Sequence, residues 1–398
     1  MNINWINRIK VIPRNYQLDA VNAMLQYNSC LLQAPTGTGK TNIIIYLIFA
    51  LAKKTIIVVP KTDLIEQTYN RIIDCTDVNP DNVEKYNSRK PRVKPITIIT
   101  WQSLATALKN PKKWQLFDGY FDCVVCDECH KVGVAELLYT IGVDKLGCSY
   151  RYGVSATPYR NNGETRELLE FFNNNKYIIN IETAYSANAL IRPIVHMVQT
   201  GMQFDCDVLL NRWEKLSFTP EQKLGVLKKE LGINNMRSYL IRDHIQKTKQ
   251  RCNLVLSYTT VQCDIFYRLD HNKNKVKIYG SMSTAEKKDA MKEIIDTEEI
   301  TIYATQSFLG EGTDIPKLDT LYITTPFAGG SKTVQFAGRV LRPCEDKKAV
   351  HIYDYCDYIN YNPYNQKEIN LQGWNEKRKK EYQRLAPVFI DEWVEDVL

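Results

Sequence analysis

Two successive series of strand-like and helix-like segments make up most of the chain. Short apolar stretches at Cys30–Leu32, Thr55–Val59, Ile96–Thr100, Cys123–Cys126 and Tyr152–Ser155 predict strands, separated by segments of helical length. The pattern restarts at Asn253–Ser257, Lys275–Tyr279, Thr301–Ala304, Thr320–Thr324 and Ala349–Tyr353. Strands that alternate with helices indicate parallel sheets covered by helices on both faces. Between the series lies a helical stretch from about Thr219 to Thr248, with Asn234 placed to cap its second helix. The expected plan is an α/β chain with two tandem units, residues 1–200 and 249–365. A helical linker, 201–248, joins them and a charged tail, 366–398, follows.

Composition narrows the class. The chain has 398 residues, 44% apolar and 24% charged, as ordinary soluble globular proteins have. Its net charge of +7 is mild and suits a polyanionic partner without requiring one. No apolar run is long enough to span a membrane, and Met1–Trp5 lacks the charged-then-apolar pattern of an export signal, so the cytoplasm is the expected location. The 11 cysteines then read as free thiols. Cys123, Cys126, Cys129 and Cys148, with His130, have the look of a metal cluster. Residues three apart on a strand point to opposite faces, however, so no zinc or iron–sulfur site is expected.

Four charged segments have no assigned chemistry. The basic run Lys377–Lys380 and the acidic end Asp391–Asp396 read as solvated faces. Arg89–Lys94, with Pro91 and Pro95, is a loop that is either simply exposed or in contact with a nucleic-acid backbone. Asp205, Asp207 and Glu214 read as solvated loop charges.

Candidate chemistry begins at Ala34-Pro35-Thr36-Gly37-Thr38-Gly39-Lys40-Thr41, between an apolar strand and an apolar helix. A strand that turns through glycines into a helix N-terminus aims backbone N–H groups and the helix dipole at one anion. Lys40 can reach terminal phosphates and the Thr41 hydroxyl can ligate Mg²⁺, so the loop implies a nucleoside triphosphate. Ala34 replaces the usual first glycine. Downstream, Asp127-Glu128-Cys129-His130 follows a buried strand. Ligands of open α/β sheets bind at such strand ends. Asp127 suits the metal and Glu128 the attacking water, while His130 could couple the site to a neighbouring domain. Ser155-Ala156-Thr157-Pro158 ends another strand with hydroxyls able to relay a switch or merely cap a helix. In the second unit Gln335, Arg339 and Arg342 would share one face if helical, with Val334, Gly338 and Leu341 packed inward. Two guanidinium groups so placed are either fingers for a phosphate or salt-bridged surface arginines.

The order of these motifs resembles a superfamily 2 helicase of the DExH type, over about residues 14 to 353. Arg14-Asn15-Tyr16-Gln17 is similar to the Q-motif, which implies that Gln17 reads the adenine base. Val58-Val59-Pro60-Lys61 resembles motif Ia, Thr100-Trp101-Gln102-Ser103 a strand-contacting motif, and Val255-Leu256-Ser257-Tyr258 motif IV. Ala304 through Pro316 resembles motif V, and Gln335 through Arg342 motif VI, with arginine fingers. The branch most resembled holds the XPB-like helicases, restriction motor subunits and phage branch-migration helicases such as UvsW. No Arg-Glu-Asp triplet like that of XPB occurs, and no nuclease or zinc module is appended.

The resemblance implies two RecA-like domains with an ATP cleft between them and Mg²⁺ as cofactor. ATP would be held by Arg14, Gln17, Pro35 to Thr41, Gly312 and Asp314. Lys40, Asp127, Glu128, Gln335, Arg339 and Arg342 would be catalytic, Thr41 and Asp127 would hold the metal, and His130, Ser155 and Thr157 would couple. Lys61, Thr100, Gln102, Ser257 and Thr305 would touch nucleic acid. The implied partner is DNA, forked or branched, with replication or recombination proteins and no membrane. The implied setting is a virus- or phage-encoded enzyme in the host cell. Alternatives are an RNA helicase, or an ATP-gated clamp that does not unwind.

Overall fold

The computed structural model describes residues 3–131, 145–156, 165–205, 220–309, 315–360 and 371–392. They form two compact units, Met1–Ala189 and Leu190–Leu398. In the first, strands β1 (Ser29–Gln33), β2 (Thr55–Val59), β3 (Val83–Lys85), β4 (Ile96–Thr100), β5 (Cys123–Asp127), β6 (Tyr150–Ser155) and β7 (Lys176–Ile178) build one sheet in the order β3-β4-β2-β5-β6-β1-β7. Every pairing in it is parallel. All five residues of β2 are buried, as expected of a central strand covered on both faces. The helix Lys40–Leu51 buries every residue from Ile43 to Phe49. Its apolar side chains surround it because it packs beneath other elements rather than on the surface.

The second unit repeats the plan with β8 (Pro193–Asp205), β9 (Cys252–Ser257), β10 (Lys275–Ile278), β11 (Ile300–Thr305), β12 (Thr320–Ile323), β13 (Val350–Asn360) and β14 (Val388–Glu392). Its order is β10-β11-β9-β12-β13-β8-β14, again parallel throughout. Numbered within each unit, both sheets run third, fourth, second, fifth, sixth, first, seventh. Thus β8 is the topological counterpart of β1, β12 of β5, and β14 of β7.

Four strands were not expected from the sequence. β3 and β7 span three residues each, too few to show a period, and β14 follows a strongly charged helix. β8 mixes polar and apolar residues over 13 positions, and the expected boundary at residue 200 falls inside it. The two helices of the expected linker, Pro220–Ile233 and Asn235–Thr248, lie in the second unit. Asn234 caps the latter, its Oδ1 accepting the Arg237 N–H at 2.9 Å. Ile241 and Ile245 are buried against Val255 and Phe266.

In the basic run of the tail Lys377 and Lys380 are exposed, as a solvated face requires, but Arg378 is not. On the helix Leu371–Gln383, Arg378 is fully buried. Its Nε and Nη2 donate to the Asp354 carboxylate at 2.7 and 3.0 Å, and Nη1 donates to the Phe327 carbonyl at 2.8 Å. Tyr382 Oη donates to the same carboxylate at 2.9 Å. A run of like charges reveals nothing of a counter-charge 24 positions earlier, which is why the pattern misled. A second buried pair stands beside it. Arg237 grips Asp357 through Nε (2.8 Å) and Nη2 (2.9 Å) and also donates to the Thr324 carbonyl at 2.7 Å. Both pairs therefore secure the carboxyl end of β13 and the chain that leaves β12. Removing one member of such a pair strands a charge in the interior. Arg378→Ala should lower unfolding stability by about 3–5 kcal/mol. The double change Arg378→Met with Asp354→Leu should recover most of that loss, as read from urea denaturation midpoints.

Candidate active site

The phosphate loop leaves β1 and is fixed at both ends. The Ala34 N–H donates to the Ser155 carbonyl at 2.9 Å, which ties the loop to the end of β6. Gly37 and Gly39 adopt φ of 90° and 77°, a region that glycine enters without strain. The Thr38 hydroxyl donates to the Pro35 carbonyl at 2.7 Å. From behind, Tyr16 Oη and Gln17 Nε2 both donate to the Thr38 carbonyl, at 2.9 and 3.0 Å. Gln17 Oε1 accepts the Arg14 N–H at 3.0 Å and so closes the start of the helix Asn15–Met24. A Cβ at Gly39 would lie 2.7 Å from Gln17 Nε2, so the glycine is also needed for close approach.

The carboxamide of Gln17 thus joins helix start to phosphate loop and is only 2% exposed. Tyr16, given no separate role from the sequence, shares that task. The nearest signal was its place inside the Arg14–Gln17 motif.

At the end of β5 the chain turns sharply. Glu128 has φ 47°, a conformation costly for a residue with a Cβ, and its N–H donates to Asp127 Oδ1 at 2.9 Å. The turn sets two carboxylates side by side, with Lys40 Nζ 3.9 Å from Glu128 Oε1. Burial, and then the charge of Glu128, push the Asp127 carboxyl up to about 6, against the pull of Lys40. Two adjacent acids facing one ammonium make an oxygen-rich site short of positive charge. That donor set fits a hard divalent cation such as Mg²⁺.

His130 Nδ1 lies 2.8 Å from Ser155 Oγ and 3.4 Å from Glu128 Oε2. The structure therefore brings Lys40, Asp127, Glu128, His130 and Ser155 to one edge of the first sheet, beside Pro35–Thr41. Thr157, Gly312 and Asp314 lie outside the described residues, as do Asp207 and Glu214. Cys123, Cys126, Cys129 and Cys148 are buried, and burial raises the Cys148 thiol to about 12. Among the described residues no three or more histidine, cysteine, aspartate and glutamate side chains gather to hold a metal.

In the second unit Gln335 and Arg339 ride on the helix Ser331–Val340, and Arg342 does not. Leu341 caps that helix, and Pro343 disfavours helical backbone at Arg342, so the expected single face holds for the first two only. The inward stripe is Thr333, Phe336, Ala337, Gly338 and Val340, joined by Leu341, with Gly338 and Leu341 as expected. Val334, expected among them, is half-buried. Lys347, unnoticed in the sequence, donates from Nζ to the carbonyls of Val340 (2.5 Å) and Arg342 (2.8 Å) and closes the helix end. Burial lowers its pKa to about 8.

Of the residues expected to touch nucleic acid, Lys61 and Gln102 are exposed. Thr100, Ser257 and Thr305 are buried at the carboxyl ends of β4, β9 and β11. Thr100 caps the helix Trp101–Leu108 by accepting the Ser103 N–H at 3.2 Å, and Thr305 Oγ1 is 2.9 Å from Ser307 Oγ. The Thr100 and Thr305 hydroxyls are engaged locally, whereas the buried Ser257 hydroxyl has no hydrogen-bond partner among the described residues.

Residues 10–160 match the family described as the res subunit of type III restriction enzymes, and residues 234–344 match the helicase conserved C-terminal domain. The chain is 31% identical over 155 residues to the DNA 3'-5' translocase XPB2 of Sulfurisphaera tokodaii, a match that covers 39% of this chain and 33% of that protein. It is 25% identical to the putative helicase 161L of Invertebrate iridescent virus 6, over 85% of this chain and 74% of the relative. In fold it is similar to a fragment of a putative HsdR subunit of a type I restriction enzyme from Vibrio vulnificus. There the TM-score is 0.66 at 16% identity, over 98% of this chain and 70% of the other.

Two outcomes follow from the site. Tyr16→Phe removes one donor from the Thr38 carbonyl and should reduce stability by about 0.5–1.5 kcal/mol in thermal unfolding. Asp127 binds its proton more tightly in the folded than in the unfolded chain, so its contribution to stability falls as pH rises from about 4 to about 6. In metal-free buffer Asp127→Asn should therefore stabilise the protein above pH 6, and that gain should vanish near pH 4.

Proposed function

We propose that this chain is a superfamily 2 helicase, in the branch of XPB-like proteins and restriction-enzyme motor subunits, and an ATP hydrolase that moves along DNA. The observation that carries the reading is the convergence of the phosphate loop, Lys40 and the strained Asp127–Glu128 turn at one sheet edge. Lys40 and the loop N–H groups bind the terminal phosphates. Glu128 orients and deprotonates the attacking water, and Thr41 with Asp127 would hold Mg²⁺, which would supply charge neutralisation at the phosphate oxygens. Gln335, Arg339 and Arg342 of the second unit act on the charge that develops as the phosphoryl group leaves. His130 reports the state of Glu128 to Ser155 through the contacts at 3.4 and 2.8 Å.

DNA is favoured over RNA because a relative 31% identical over 155 residues is named a DNA translocase. Forked or branched DNA is the proposed substrate, with phosphate contacts that tolerate any sequence. A viral relative matched over most of the chain suits a virus-encoded enzyme working in its host's cytoplasm beside replication or recombination proteins. No helix among the described residues is long and apolar enough to cross a membrane.

The test is steady-state ATP hydrolysis at fixed low salt with no nucleic acid, single-stranded DNA, duplex DNA, forked DNA and RNA. Forks should stimulate most. Preference for RNA would move the enzyme to the other substrate class, and no stimulation at all would leave an ATP-gated clamp. Lys40→Ala should abolish turnover. Glu128→Gln should bind ATP normally and hydrolyse it at least about 100-fold more slowly, the loss typical of a removed general base; unchanged turnover would exclude Glu128 from that role.

A further inference from the structure

The distribution of charge is uneven. From Lys85 to Phe117 the chain carries eight lysines and arginines and no acid, more than the whole molecule's net charge of +7. Two of the eight are neutralised locally, Lys85 by Glu66 at 2.8 Å and Lys94 by Glu84 at 3.7 Å. The remaining six, Arg89, Lys90, Arg92, Lys109, Lys112 and Lys113, form no ion pair with any described acid.

They occupy two segments that the fold holds together. Lys113 Nζ donates to the Ser88 carbonyl at 2.9 Å and so bridges the short helix Pro111–Trp114 to the loop after β3. Beneath them one aromatic cluster receives side chains from both segments. Tyr86 meets the Phe117 ring edge-on at 5.4 Å, and Trp114 stacks on Phe117 at 5.9 Å. Val93 packs on the same cluster. The cationic loop is therefore seated on the first unit's core by its apolar positions while Arg89, Lys90 and Arg92 remain exposed. Like charges gathered on a fixed scaffold repel one another, and a polyanion relieves that repulsion.

The aromatic residues decide which polyanion. A surface that reads single strands presents exposed rings for bases to stack on. Here the rings face inward: Tyr86 and Phe117 are buried, and no aromatic residue of this segment is among the large exposed apolar side chains. What remains outside is charge alone, the chemistry of phosphate-backbone contact. We propose that the loop 89–94 and the residues 109–113 form a duplex-binding patch, in addition to the strand contacts expected at Lys61 and Gln102. The patch lies beside the candidate active site's sheet without contributing to its chemistry. The inference rests on the reading of this chain as a DNA motor, for it supplies the duplex that such a motor holds.

The experiment is equilibrium binding of fluorescent duplex DNA to the full chain, without nucleotide, from 50 to 200 mM salt. The variant carries Arg89→Gln, Lys90→Gln, Arg92→Gln, Lys109→Gln and Lys112→Gln. Each lost phosphate contact should reduce the slope of log affinity against log salt by about 0.9, with affinity at least about tenfold lower at 100 mM salt. Single-stranded DNA should lose much less. A charge-keeping control, Arg89→Lys with Arg92→Lys, should bind as the parent does, which separates lost charge from misfolding. Duplex affinity and slope equal to the parent's would overturn the proposal, as would an equal loss for polyglutamate, which would mark a surface for acidic proteins. ATP hydrolysis that no DNA stimulates would count against the motor reading and leaves this binding measurement interpretable.

Discussion

The parallel ladder of the first sheet fixes almost everything else at the site. β1, β5 and β6 run side by side in one direction, with Gln33 opposite Ser155 and Asp127 opposite Val154. Parallel strands return through crossovers, so the chain leaves all of them at the same edge. Phosphate loop, acid pair and Ser155 are far apart in sequence, and the register of the strands brings them to one edge. The hydrogen bond from the Ala34 N–H to the Ser155 carbonyl extends that ladder one step beyond the strands, into the loop itself. A shift of register by one residue would turn every side chain of the strand to the opposite face.

The second unit shows what the same scaffold looks like without that chemistry. Its strands follow the same order, yet the position matching β5 is β12, which ends in Ile323 and continues into Thr324 and Thr325 rather than acids. Where the first unit leaves Asp127 and Glu128 short of positive charge, the second supplies complete counter-charges. Arg237 saturates Asp357 and Arg378 saturates Asp354, all four side chains fully buried. The arginines also hold the carbonyls of Thr324 and Phe327. Phe327 packs edge-on against Phe336 of the helix that carries Gln335 and Arg339, with ring centroids 5.5 Å apart. One sheet edge is electrostatically unfinished and reactive. Its twin pairs both buried acids with arginines, and it positions a helix.

Much of this was legible in the sequence because the signals were local. Thr55–Val59 and Ile96–Thr100 match their strands residue for residue, since continuous β-branched runs have no competing helical reading. Gly37, Gly39, Lys40, Asp127 and Glu128 were recoverable because a phosphate loop and an acid pair are contiguous in the chain. What was hidden is long-range. β8 looks ordinary until β13 and β14 flank it, and the burial of Arg378 depends on Asp354 and the Phe327 carbonyl. The end of the helix at Val340 was the one local signal missed, for Pro343 stood in view. Tyr16 and Lys347 act through backbone carbonyls, partners that no spacing of side chains announces.

The pair Arg378–Asp354 has a consequence for how such proteins diversify. The region of similarity to helicase C-terminal domains stops at residue 344, before both partners, whereas the unit that folds needs both. Inherited likeness and physical integrity therefore draw different borders on the same chain. An exchange of modules between related chains that cut after residue 360 would separate an acid from the arginine that neutralises it. Lineages that trade this segment have to move the two charges as one cassette or lose both to apolar side chains, and mosaics that split them would be purged before their activity was ever tried.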